Sequence, residues 1–357
     1  MSNKRIQYLD FAKGLCITLV VLSHVFIQQH DTPQVVNTLA VFLLPLFFFL
    51  SGLFFKEYEN FGGFLIRKVN KVLIPFAFFY LVTSFALPNI LHHLFGFTVS
   101  AKQSLGIGGL WAFITEEQFA NNPIWFLWAL FLVNIYFYVL LVLTKRLTSN
   151  PTYEAVILTI VSFAIGFSGV VYFSNHCNLP GFADSAMSAM PFFVMGYLFN
   201  KHTDILTPNR LDKYLPVIII LCFGITFYVG GRSGYMSNRF RLHPILVYVC
   251  GMAGTVGTIF LAKLLRDLPF VTYWGRYSLM ILCTHDLLLN VFMPLSRKVD
   301  LPQPIMAFIV LAVVMFCYQL LIPLMKKYLP YVTGLKDVIN VSKYVNNKLN
   351  DGKASFK

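Results

Sequence analysis

The stretch FAKGLCITLVVLSHVFIQ, residues 11–28, is apolar along nearly its whole length and carries strongly ionisable side chains at two positions, Lys13 and His24. A helix of about 20 residues crosses a hydrocarbon core of roughly 30 Å, so this stretch predicts a transmembrane helix. Similar stretches follow at 39–55, 72–91, 124–143, 155–173, 185–199, 215–229, 244–262, 276–292 and 305–325. The sequence therefore predicts an all-α integral membrane protein, a bundle of about ten transmembrane helices.

The overall composition supports a membrane protein. Of the 357 residues, 57% are hydrophobic and 12% are charged, whereas soluble domains carry roughly a quarter charged residues. Five of the six cysteines lie within apolar runs and Cys177 stands alone in a loop. Because no Cys and His spacing typical of a metal site occurs, we expect neither a disulfide framework nor a metal.

The distribution of positive charge predicts the topology. With the N-terminus in the cytoplasm, 21 of the 28 Lys and Arg residues fall in cytoplasmic segments and six in external ones. The positive-inside rule then places both termini in the cytoplasm, and it accounts for most of the net charge of +13 without a nucleic-acid partner. We divide the chain into a transmembrane domain, residues 1–330, and a basic cytoplasmic tail, residues 331–357. The spacing of Leu335, Val338 and later residues fits either an amphipathic helix on the inner leaflet or a frayed tail.

Three ionisable residues of the first helix share one face. A helix turns about 100° per residue, so Lys13 and His24, eleven residues apart, point within about 20° of each other. Asp10 and Lys13 form an i, i+3 pair on the same side. The axial separation of Lys13 and His24 is about 16 Å, which puts His24 near the middle of the membrane.

Ionisable groups at such depth usually face a bundle interior or a wet cavity. Histidine is also the side chain best suited to proton transfer near neutral pH. One interpretation is that His24 is a general base, with the Asp10–Lys13 pair near the cytoplasmic mouth. The other is a neutral histidine hydrogen-bonded to a neighbouring helix.

The opening RIQYLDFAKGLCITLVVLSH, residues 5–24, resembles the signature of acyltransferase family 3, the integral membrane acyltransferases that O-acylate surface glycans. The family typically has a basic residue, ten intervening residues and a histidine in its first helix, and Lys13 and His24 match that spacing, with Lys where Arg is common. The DxxKG form resembles the branch related to sugar O-acetylases. Further segments match in order: LPLFFFLSGLFF (44–55), RKVNKVLIPF (67–76), NPIWFLWALF (122–131) and WGRYSLMILCTH (274–285).

This resemblance implies a reaction and a donor site. The expected reaction moves an acyl group, most simply acetyl, from acyl-coenzyme A to a hydroxyl of a surface or lipid-linked carbohydrate, in a bacterial cytoplasmic membrane. His24 would be the base, with the Asp10–Lys13 pair near the cytoplasmic mouth. The basic cluster Arg67, Lys68 and Lys71 would bind the phosphates of acetyl-coenzyme A, although by itself such a cluster equally fits lipid contact or topology.

Other positions are candidates for binding the acceptor. His285 and Asp286 lie within a span and could orient the acceptor, pair with the first helix, or form a structural hydrogen bond. Asn238, Arg239 and Arg241 form an external positive group, which fits an acceptor site or plain surface decoration. Further candidates lie in the long external segment 92–122, which could form a lid, and among the sugar-stacking or interfacial tryptophans Trp111, Trp125 and Trp128.

A different class of protein also fits these residues. In a proton-coupled secondary transporter or polysaccharide exporter, the intramembrane His, Asp and Lys would form a proton relay, and the basic loop would only set topology. The absence of an internal sequence repeat weakens transporter folds built from duplicated halves. The chemistry separates the two, because a transporter would move its substrate without cleaving a thioester.

Overall fold

The computed structural model describes residues 6–30, 32–58, 60–87, 121–173, 179–203, 206–208, 210–231, 233–265 and 268–341, with the single residues 90, 93 and 115. Most of the predicted external segment 92–122, including Trp111, lies outside these residues, as does the tail beyond residue 341.

The described chain is almost entirely helical. Its helices are α1 (Gln7–Gln28), α2 (Gln34–Leu53), α3 (Phe61–Lys68), α4 (Ile74–Leu81), α5 (Trp125–Leu147), α6 (Pro151–Phe167), α7 (Ala183–His202), α8 (Leu215–Val229), α9 (Pro244–Leu265), α10 (Pro269–Arg276), α11 (Ser278–Ser296) and α12 (Gln303–Tyr328). A short antiparallel hairpin, β1 (Ser233–Gly234) and β2 (Arg239–Phe240), joins α8 to α9.

Nine helical segments within the described residues are long and apolar enough to cross a membrane, and they contain every helix above except α3, α4 and α10. A tenth continuous segment consists of α3, the π-helical turn Val69–Leu73, α4 and a second π-helical turn, Val82–Ala86. The predicted all-α bundle of about ten membrane helices is therefore confirmed.

The break between α3 and α4 has an identifiable cause. Pro75, near the start of α4, has no N–H to donate to the preceding turn. The chain before it widens into the π-helical turn, in which the Ile74 N–H bonds to the Val69 carbonyl. Such turns change the directions of neighbouring side chains, and here the turn includes or borders all three residues of the predicted basic cluster.

Helix α1 occupies an inner position. It packs against α2, α9, α10, α11 and α12, and two glycines allow α10 to approach unusually closely. A Cβ on Gly275 would lie 1.7 Å from the Asp10 carbonyl oxygen, and one on Gly14 would lie 1.8 Å from the Val271 carbonyl oxygen. Small residues at a helix interface permit this backbone contact, which holds the end of α10 against the polar face of α1.

The tail residues 331–341 form turns that are held to the bundle, so this part of the tail is neither the amphipathic helix nor the frayed segment that the sequence allowed. Asn70, wholly buried in the π-helical turn, holds them: its Nδ2 donates to the Ile339 carbonyl at 2.8 Å, and its Oδ1 accepts the Val338 and Ile339 N–H groups at 2.9 Å. A buried amide that binds three backbone groups fixes the tail in place, and it outweighs the helical spacing of the apolar residues.

Candidate active site

Two adjoining cavities run along one face of α1. The basic cavity, about 350 Å³, contains Lys13 in its wall, and the histidine cavity, about 130 Å³, contains His24. Both are lined by Val20, Leu44, Phe126 and Leu282. The structure thus places Lys13 and His24 on a common face, as the helical spacing predicts, and connects them through a shared apolar wall.

The basic cavity brings together three cations from three different elements, Lys13, Lys68 and Arg276. The Lys13 ammonium lies 4.8 Å from the centroid of the Phe54 ring, and the Lys68 ammonium lies 5.2 Å from that of Phe55. Such cation–π contacts hold a charge beside an apolar wall. The cavity lies where α1 and α11 begin and α2 ends, which is the cytoplasmic side by the positive-inside rule.

Arg276 is the main residue that the sequence analysis missed, since there it counted only as a topology marker. The contact between Gly275 and α1 brings Arg276 to the cavity, and its Nε lies 3.8 Å from Oδ2 of the buried Asp10. Asp10 therefore contacts a cation on α10 as well as sharing a face with Lys13. The Gly-Arg sequence at 275–276, within the family-like segment 274–285, is the signal that could have indicated it.

The three residues of the predicted donor cluster, Arg67, Lys68 and Lys71, have different surroundings. Lys68 lines the basic cavity, whereas the Arg67 guanidinium stacks 5.6 Å from the centroid of the Tyr58 ring. The Lys71 ammonium forms a 2.8 Å ion pair with Asp337 and donates to the Gly334 carbonyl at 2.8 Å, both in the tail. The i, i+4 face shared by Arg67 and Lys71 is thus directed away from the cavity, and Lys68 is the member of the cluster that lines it.

The cavity also holds an unsatisfied polar atom. Asn134 of α5 is nearly fully buried and donates from Nδ2 to the Leu130 carbonyl at 2.7 Å. Its Oδ1 has no hydrogen-bond partner among the described residues. Since buried polar atoms are normally paired, this oxygen is an unsatisfied acceptor on a residue that lines the cavity.

The imidazole of His24, which lines the histidine cavity, contacts the imidazole of His285 from another helix. The rings of His24 and His285 are 4.9 Å apart between centroids, with an interplanar angle of 89°. Nδ1 of His285 lies 2.9 Å from the Ile281 carbonyl oxygen. A carbonyl can only accept, so Nδ1 carries the proton, and Nε2 of neutral His285 is an acceptor without a partner among the described residues. Two of the three roles considered for His285 are therefore present together: its ring contacts the first helix, and its Nδ1 makes a structural hydrogen bond.

His24 is closer to the external end of α1 than expected. It precedes the last helical residue, Gln28, by four positions, or about 6 Å of axial rise. Asp286 lies beyond the imidazoles and accepts a 3.1 Å hydrogen bond from Nε2 of Gln28. This contact joins α11 to α1.

The start of α5 closes the histidine cavity. Pro123 and Trp125 line it, and the buried Asn121 donates from Nδ2 to the Cys283 carbonyl at 2.8 Å. Of the predicted tryptophans, Trp125 therefore lies beside His24, whereas Trp128 donates to the Gly181 carbonyl at 2.8 Å.

The external group lies elsewhere. Asn238 is wholly buried: its Nδ2 donates to the Gly169 carbonyl and to Asp184, and its Oδ1 accepts from Ser188. Arg239 and Arg241 line a separate hollow that shares no residue with the two cavities. Asn238 thus anchors the hairpin, and the two arginines face the hollow.

The protein is a helical membrane bundle in which a cationic cavity adjoins a histidine cavity. These features place it among multi-pass membrane proteins with an internal polar site. The acyltransferase domain family, acyltransferase family 3, matches residues 6–322, so the chain belongs to this family and is a membrane acyltransferase. No curated protein and no solved structure matches the chain. Family membership favours the acyltransferase over the transporter or exporter.

Proposed function

We propose that the protein transfers an acyl group, most simply acetyl, from cytosolic acyl-coenzyme A to a hydroxyl of a surface or lipid-linked carbohydrate. The observation that carries this proposal is the pair of adjoining cavities, which leads from Lys13, Lys68 and Arg276 to the imidazole of His24. A donor with an anionic head and a thin, reactive arm fits such a path.

The donor would bind head first in the basic cavity. Its phosphates would pair with Lys13, Lys68 and Arg276, of which Arg276 can form a bidentate contact. Oδ1 of Asn134 would accept a hydrogen bond from an amide of the arm. The arm would then pass the apolar wall at Val20 and place the thioester beside His24.

His24 would remove the proton from the acceptor hydroxyl as its oxygen attacks the thioester carbonyl. The tetrahedral intermediate collapses with cleavage of the carbon–sulfur bond, and the proton held by His24 passes to the departing thiolate. Nε2 of His285, as an acceptor, would orient the hydroxyl or a water next to His24. Asp286, through Gln28, would hold α11 against α1 during this step.

The carbohydrate would enter from the external side, where the histidine cavity lies near the end of α1. A sugar ring could pack against Trp125 in the cavity wall. The donor is cytosolic and the acceptor external, so the two meet within the bilayer. A bacterial cytoplasmic membrane provides both.

A transfer assay with radiolabelled acetyl-coenzyme A tests the proposal. Membranes with the wild-type protein should incorporate label into glycan, and His24→Ala should reduce the rate by about 10²–10⁴, the usual contribution of a general base. His202→Ala, which alters an exposed histidine at the end of α7, is the matched control and should leave the rate unchanged. Equal labelling by wild type and His24→Ala would remove His24 from the mechanism, and substrate uptake without thioester cleavage would indicate a transporter.

A further inference from the structure

The external hairpin between α8 and α9 contains a basic hollow away from the two cavities. This arginine hollow, about 270 Å³, is lined by Gly234, Ser237, Arg239 and Arg241. Arg239 lies on β2 and Arg241 in the bend directly after it, and both line the same hollow. A space of this size is several times the volume that a water molecule takes in the liquid, about 30 Å³.

The hairpin that carries the arginines is firmly anchored. Asn238, at a left-handed φ of 46°, is wholly buried, and its side chain bonds to Gly169, Asp184 and Ser188 at 2.7–3.2 Å. Tyr235, also buried, packs against the Phe240 ring at 5.0 Å between centroids. Because these buried contacts fix the turn, the backbone that carries the two arginines is already in place before a ligand binds.

Neither guanidinium group has a carboxylate partner within the part of the chain that the structure describes. Among the residues that the structure describes, no Asp or Glu lies within ion-pair distance of Arg239 or Arg241, although six other ion pairs occur. The external side is also the side from which the topology rule depletes Lys and Arg. Two unpaired, adjacent arginines at this place need a reason other than topology or internal stability.

The hollow lies at the level of the membrane surface and apart from His24. The hairpin begins at Gly230, whose Cβ position would lie 3.8 Å from Nε2 of Gln34 and from Oγ1 of Thr38, at the external start of α2. Ala40, which lines the histidine cavity, is two residues beyond Thr38 and so points to the opposite face of α2. The hollow and the histidine cavity share no lining residue, so a ligand in the hollow occupies a separate site.

We propose that the arginine hollow binds a phosphate group at the external membrane surface. Two planar guanidinium forks match the oxygens of a phosphate dianion, and the Ser237 hydroxyl can donate a further hydrogen bond. Phosphates occur at this level in two sources, the phosphate that links a saccharide to its lipid carrier and the headgroups of ordinary phospholipids. The proposal is independent of acyl transfer, because it concerns binding alone.

Titration with inorganic pyrophosphate tests the site. Full-length protein in phosphatidylcholine nanodiscs is titrated calorimetrically, and Arg239→Gln/Arg241→Gln should weaken the affinity at least tenfold. Arg239→Lys/Arg241→Lys keeps the charge without the forks and should bind with intermediate affinity. Lys298→Gln, an exposed external cation on another loop, is the control and should bind as the wild type does. Lys68→Gln identifies any heat that comes from the basic cavity.

Undiminished pyrophosphate binding by the double Gln variant, folded as judged by its helical circular dichroism, overturns the proposal, as does the absence of binding by the wild type. The source follows from replacing phosphatidylcholine with phosphatidylglycerol. Competition between this anionic lipid and pyrophosphate assigns the hollow to phospholipid headgroups. Unchanged pyrophosphate affinity assigns it to a phosphate carried by the saccharide acceptor.

Discussion

Two lysines three residues apart on the same helical segment have different surroundings. Lys68 faces the basic cavity, and Lys71 is paired with the tail. Lys68→Gln should raise the KM for acetyl-coenzyme A about tenfold, the equivalent of roughly 1.4 kcal/mol, with little effect on acceptor use. The matched variant Lys71→Gln should change donor KM much less, and donor kinetics in which the two variants behave alike would contradict the proposed donor site.

Asn134 provides a second residue-scale test. Asn134→Leu removes the unpartnered Oδ1 and keeps the branched shape of the side chain, and the cavity beside it has room for the larger group. The protein should therefore lose no thermal stability, because an unsatisfied buried polar atom costs about 1–3 kcal/mol. The same variant should raise the KM for acyl-coenzyme A. Melting curves and donor kinetics measured on one preparation separate the two effects. A destabilised variant with normal donor KM would show that Asn134 only supports the fold.

The sequence predicted the residues that share one helix better than those that meet across helices. The 100° rotation per residue relates Lys13 to His24 within α1, and both line the cavities. Arg276 joins them only through the close contact of Gly275 with α1. Likewise, the distance between Lys71 and Asp337 depends on how the π-helical turn and the tail fold together. Contacts of this kind are set by tertiary packing, which periodicity does not encode.

Among the elements, the π-helical turn before Pro75 combines two tasks. Its buried Asn70 holds the tail, and its neighbours Lys68 and Val72 line the basic cavity. The predicted spans located this segment, since apolar length alone indicates a membrane helix. The π-helical form of the turn was not predictable from the sequence, because it depends on which donors pair with the carbonyls that Pro75 leaves free.

Releasing the tail is the prediction that belongs to this scale. Asn70→Ala removes three hydrogen bonds of 2.8–2.9 Å and should destabilise the tail attachment by about 1–3 kcal/mol. Hydrogen exchange should then accelerate at the amides of Val338 and Ile339. Lys71→Ala removes an ion pair whose two side chains are 47% and 40% exposed, typically worth about 0–1 kcal/mol. Similar exchange rates for Asn70→Ala and the wild type would refute the role of Asn70.

Across the whole molecule, the arrangement of the two cavities makes transfer between membrane faces testable. Val20 lines both cavities on α1. Val20→Phe should fill the junction and reduce glycan labelling strongly, while coenzyme A still binds in the basic cavity. Ile220→Phe, at a 70% exposed position of α8 that lines neither cavity, is the control and should leave glycan labelling unchanged. Full transfer activity in Val20→Phe would mean that the donor arm takes another route.

The wall shared by the two cavities also affects whether ions can leak across the membrane through the protein. Val20, Leu44, Phe126 and Leu282 are all apolar, and an apolar constriction repels hydrated ions. The narrow thioester arm of the donor can pass this constriction, whereas a hydrated cation cannot. We therefore expect the protein to deliver acyl groups outward without short-circuiting the proton-motive force, so that vesicles containing it hold their pH gradient throughout turnover.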